Sequence, residues 1–178
     1  TLGLPRNLTA WTGIDSLVHA LESYFVPRTH PMCDGIALQA LKIIRTWLPT
    51  VVNEPNNLEA RGAMQIGSCM AGVAFSKGLG LVHSISHAVG AKYDQHHGLI
   101  NAIALPAVLR FNESTISLKC AEIMHCLNLG KDDFESFYRL ICDLLDELKI
   151  PKSLSEIGVP RNSSSALAIR AFEDSATQ

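Results

Sequence analysis

Seven histidines are spread over this 178-residue chain, and two of them, His83 and His87, stand four positions apart. On a helix that spacing puts two imidazoles on one face, one turn above the other. Asp15 and His19 repeat the spacing with a carboxylate in the first place. A carboxylate and an imidazole one turn apart can grip a cation from one side. His97, directly before Gly98, stands where a further apolar helix would open. Asp15, His19, His83 and His97 together would offer one oxygen and three nitrogens. A donor set of that kind, without thiolate, favours Fe(II), Zn(II), Mn(II) or Ni(II) over Cu(I). With four protein donors an octahedral ion keeps positions open for water or substrate, whereas a tetrahedral zinc is filled.

Plainer readings of the same residues compete with this one. Thr12-Gly13-Ile14-Asp15 has the spacing of a helix capping box. His83 and His87 could be core histidines bonded to backbone carbonyls. Glu22, one turn after His19, is either a solvated charge or an acceptor for a ligand's other ring nitrogen, and the second is favoured. His30 and His125 stand alone and read as surface or capping residues. Met64, Cys69 and Met70 read as core packing. Other catalytic templates are absent from the sequence: there is no H-E-x-x-H, no G-x-S-x-G and no Walker A run. Gly78-Leu79-Gly80 lacks a third glycine at the spacing of a dinucleotide fingerprint.

The elements that must position these residues read as helices throughout. With 47% hydrophobic residues the chain can bury one sizeable core, and a net charge of -2 gives no footprint for nucleic acid or an anionic membrane. No apolar run reaches the length of a membrane span. The five cysteines form no C-x-x-C pair and read as buried, reduced thiols of a cytoplasmic protein. Residues 1–10 read as a connector, and the first helix is expected over about Thr12 to Tyr24. A second is expected from Met32 to Trp47, ended by Pro49, and a third from Leu58 to Phe75. The histidine helix should end at Gly90 or at Asp94-Gln95. Three helices should follow, over Leu99–Arg110 with a kink at Pro106, Thr115–Leu127 and Asp132–Leu148. A last one starts near Ser163 and is still running at Ser175. No segment alternates as a strand does, so an all-α domain is expected over 1–178.

Two stretches then match a known pattern. T-G-I-D-S-L-V-H-A-L-E, followed by A-G-V-A-F-S-K-G-L-G-L-V-H-S-I-S-H-A-V-G-A-K-Y-D-Q-H-H-G-L-I-N-A-I-A-L-P, resembles the C-terminal domain of the iron-dependent (group III) alcohol dehydrogenases. That domain is helical, of the dehydroquinate synthase-like type, and is normally paired with an N-terminal α/β nucleotide-binding domain. Carried over by motif, the resemblance implies Asp15, His19, His83 and His97 as the ligands of an Fe(II) centre. It implies His87 as an unligated histidine near nicotinamide and substrate, serving proton exchange. It also sets His97, and the leader residues Thr1, Leu2 and Leu4, against the cofactor. The family frequently has proline where this chain has Ala88 and His96, and neither difference removes a ligand.

The implied reaction is reversible oxidation of a small alcohol to an aldehyde or ketone with NAD or NADP, by a homo-oligomeric enzyme. The chain begins at Thr1, and the nucleotide-binding half is not in it, so a fragment that is inactive by itself is expected. Two other functions stay open on the residues alone. One is a helical metal-dependent hydrolase that activates water. The other is a non-catalytic packing or dimerisation module that has kept the motif.

Overall fold

The computed structural model describes residues 1–177, and among them every regular element is helical. Pro5, fixed near φ -56°, leads into α1 (Arg6–Phe25), which begins six residues before the sequence suggested. The connector therefore ends at Pro5, and Thr12 lies inside the helix with its hydroxyl bonded to Leu8 O at 2.8 Å. The capping-box reading of Thr12–Asp15 falls with it, and the Asp15 carboxylate is free for other work. His30 caps α2 (Pro31–Asn53) by accepting the Cys33 N–H on Nδ1 at 3.2 Å, as its isolation suggested. α2 continues through Pro49, because Val51 and Val52 beyond it are buried in the core.

Asn57 caps α3 (Leu58–Ala74), whose small residues Ala60, Gly67, Ala71 and Ala74 are buried where α3 lies on α1 and α2. A 3-10 turn over Phe75–Lys77 and an extended stretch through Gly80 then lead into α4 (Leu81–Tyr93). Gly90 is passed without a break, and α4 stops at Asp94, which takes the left-handed conformation. α5 (His97–Leu127) is one 31-residue helix where two were expected. Its apolar residues Leu105, Leu109, Ile116, Cys120 and Ile123 keep helical phase across the polar Asn112–Thr115 stretch, so core contact carries the helix through. Asp133 caps α6 (Phe134–Glu147), which lays Phe134, Phe137, Ile141, Leu144 and Leu145 against α5. Two 3-10 turns, Leu154–Ile157 and Arg161–Ser163, precede α7 (Ser164–Phe172), which ends before Ser175.

α1 is the central element, packed against α2, α3 and α5. Its C-terminal carbonyls at Tyr24 and Val26 accept from Lys119 Nζ of α5 at 2.7 and 3.1 Å. α4 lies across α5 and is covered by α7, where Ala88, Val89, Ile100, Leu167 and Ala171 form a second, smaller apolar cluster. All five thiols are free, but only Cys33 and Cys120 are buried, while Cys69 and Cys126 are exposed. Cys69 therefore leaves the packing stripe expected of it, although Met64 and Met70 remain half-buried against the core. Among the described residues no helix is long and apolar enough to cross a membrane.

Candidate metal centre

Asp15 and His19 come to one place with His83 and His97 because α1 is flanked by α4 and α5. Gly98 sets the approach: a Cβ there would lie 2.4 Å from Trp11 O and 3.1 Å from Asp15 Cβ. Only a residue without a side chain lets the start of α5 come this close to α1. The four residues offer one donor atom each, all within 4.8 Å of one another. Asp15 Oδ1 lies 3.4 Å from His97 Nε2, 3.8 Å from His83 Nε2 and 4.0 Å from His19 Nε2. A cation bonded at about 2.1 Å to tetrahedrally placed donors spaces them by about 3.4 Å, so the cluster fits a first-row divalent ion after small shifts.

The second ring nitrogens decide which lone pairs face inward. Glu22, 5% exposed, accepts His83 Nδ1–H at 2.7 Å on Oε2. The same carboxylate accepts the N–H groups of Gly80 (3.0 Å), Val82 (2.7 Å) and His83 (3.3 Å), so it also caps α4. The neutral tautomer that donates Nδ1–H to this carboxylate carries its lone pair on Nε2. Ser86 Oγ donates its single proton to His97 O at 3.1 Å and therefore accepts from His97 Nδ1–H at 2.9 Å. His97 Nε2 is then a lone pair as well. Burial pulls His19 and His97 below the usual histidine range, against the pull of Asp15 in the other direction. Neutral imidazoles and one carboxylate are the protonation states a divalent metal requires.

His87 does not join the four. Its ring stacks on His97 with centroids 5.6 Å apart, and its Nδ1 lies 3.0 Å from Asp174 Oδ2. Asp174 is itself held by Ala176 N–H on Oδ1 at 2.8 Å. A cleft of about 480 Å³ between α1 and α3 runs past Asp15 and His19 and is lined by Thr1 and Leu4, while Leu2 is not among its walls and is 50% exposed. Phe75 stands 5.0 Å from the His19 ring. His125 is exposed and pairs with Asp132.

Three participants were missed in the sequence: Ser86 beside His97, Asn101 and Asp174. Asn101, on α5, donates from Nδ2 to Asp15 Oδ1 at 2.6 Å. Its place one turn after His97 was a usable signal. Asp174 lies 87 positions from His87, and no local pattern announces the pair.

An all-α domain that brings one carboxylate and three imidazoles within 4.8 Å of one another has the donor set of a divalent-metal site. The chain belongs to the Fe-containing alcohol dehydrogenase family, matching the model of its C-terminal domain over residues 9–178. It is 38% identical over 175 residues to a probable alcohol dehydrogenase, EutG, of Escherichia coli (strain K12), covering 98% of this chain and 44% of that protein. It is 40% identical over 181 residues to an NAD-dependent methanol dehydrogenase of Bacillus methanolicus, covering 98% of this chain and 48% of the relative. Among solved structures, a 1,3-propanediol oxidoreductase superposes with a TM-score of 0.95 at 35% identity, over 99% of this chain and 48% of its own. The chain thus spans just under half the length of the relatives it matches.

Proposed function

We propose that this chain is the metal-holding half of an NAD(P)-dependent alcohol dehydrogenase that interconverts a small alcohol and its aldehyde or ketone. The observation that carries the reading is the convergence of Asp15, His19, His83 and His97 within 4.8 Å, with inward lone pairs on His83 and His97. Fe(II) is the ion assigned, and when bound it would supply Lewis acidity toward the substrate oxygen.

Each residue then has a task. Asp15 brings the one negative charge, and the three neutral imidazoles complete the donor set. Glu22 and Ser86 fix the ring orientations of His83 and His97. His87, 44% exposed beside His97, has Nδ1 engaged by Asp174 and keeps Nε2 to pass the hydroxyl proton to water. Thr1 and Leu4, on the wall of the cleft beside Asp15 and His19, are the cofactor neighbours, and Leu2 flanks them. NAD or NADP would take the hydride, bound by a domain outside these residues, since no strand or glycine-rich phosphate loop lies among those described. Relatives named for methanol, 1,3-propanediol and butanol favour a short primary alcohol. The enzyme is assigned to the cytoplasm as a homo-oligomer.

The test is alcohol-dependent reduction of NAD⁺ and NADP⁺ by this chain joined to a nucleotide-binding half of the family, after anaerobic loading with Fe(II). Turnover of C1–C4 alcohols by wild type, with His83→Ala folded but at least 100-fold slower, is the expected result. A loaded, folded protein that oxidises none of them would sink the assignment, and phosphoester hydrolysis under the same conditions would replace it.

A further inference from the structure

We propose that Asn101 is a positioning residue of the metal centre, aiming the Asp15 carboxylate at the ion. The inference rests on the metal reading above and concerns a residue outside its four donors. Asn101 is fully buried, and its amide nitrogen lies 2.6 Å from Asp15 Oδ1, 3.1 Å from His97 Nε2 and 3.3 Å from His83 Nε2. Its two N–H groups face three acceptors that all converge on one point. The reverse orientation would bring the amide oxygen to the same 2.6 Å from a carboxylate oxygen, which two acceptors do not tolerate. The geometry therefore sets the amide nitrogen toward the site and leaves Oδ1 buried with no partner. A residue needed only to fill the core would not strand a buried carbonyl.

The braces on the other donors show where Asn101 matters. His83 has Glu22 and His97 has Ser86, so both rings stay oriented without it. Asp15 accepts a hydrogen bond from Asn101 and from no other side chain among the described residues. No lysine or arginine among them pairs with it either. In the metal-free chain the amide's partial positive charge keeps an anion and two lone pairs convergent. With a cation present, the histidine nitrogens would serve as its ligands, while the Asn101 bond to Asp15 would remain. The role is that of an outer partner that orients a ligating carboxylate.

A double-substitution cycle on the full chain tests this, reading the Zn(II) Kd in competition with a chromophoric chelator. Asn101→Leu keeps the branched shape and removes the donors, and it should weaken binding 10- to 100-fold, the range for lost outer partners. Because the effect runs through Asp15, adding Asn101→Leu to Asp15→Asn should change the Kd less than twofold. Circular dichroism checks that each variant is helical. If the leucine variant does not fold, Asn101→Ala, which is smaller and carries no donor, replaces it under the same criteria. A wild-type chain that binds no Zn(II) overturns the metal reading and this proposal with it. A wild type that binds, beside an Asn101 variant within twofold or a cycle that is additive, overturns the role of Asn101 alone.

Discussion

At the scale of single residues, the site depends on side chains that bind nothing themselves. Glu22 satisfies His83 Nδ1 and three backbone N–H groups in a buried place. Glu22→Ala strands them, so a loss of about 1–3 kcal/mol is expected in urea unfolding. The same variant should lose metal affinity about 10-fold or more, read by titration. The histidines make a second prediction. His19 and His97 have folded-state values below the ordinary 6.5, so near pH 6 the unfolded chain binds more protons than the folded one. Stability of the metal-free chain is then complete above the ordinary histidine range and falls as pH drops toward the depressed values. Melting temperatures between pH 7.5 and 5 should show that slope, and His97→Asn should flatten it. A melting temperature that rises on acidification would contradict the depressed values.

Among the helices, the close approach of α5 to α1 decides whether the motifs meet. The Gly98 contact with Trp11 O is backbone on one side, so an added methyl cannot be relieved by turning a side chain. Gly98→Ala should cost about 1–3 kcal/mol as overpacking and draw His97 away from Asp15. Denaturation and metal titration should therefore fail together in this variant, whereas retained affinity with lowered stability would show that the approach does not set the site. The long α5 carries the same lesson in reverse. The polar Asn112–Thr115 stretch suggested a break, yet a continuous buried face outweighs it, and Pro106 lies within the helix.

Over the whole molecule, stability is uneven. The large cluster joins α1, α2, α3, α5 and α6, while α7 contributes only Leu167 and Ala171 to the smaller one beside α4. Native-state hydrogen exchange should find α7 opening well before α1 and the first half of α5. Since Asp174 follows α7 and meets His87, that opening would free the His87 ring while leaving the four donors in place. Protection of α7 equal to that of α1 would mean that the chain unfolds as one unit.

The helical class, the starts of α2, α3 and α6 to within about two residues, and both i, i+4 pairs were legible because they follow from local periodicity. The long histidine block carried the family resemblance for the same reason: its residues are contiguous. The early start of α1 was hidden by the glycine and proline before it, and the unbroken α5 by its polar middle, since buried contact with other helices decided both. Glu22 beneath His83, Asn101 against Asp15 and Asp174 on His87 join residues 61, 86 and 87 positions apart. Local sequence determined which residues could ligate. Only the packing of α4 and α5 on α1 decided which of them meet, because a contact between distant segments depends on the whole core that holds both ends.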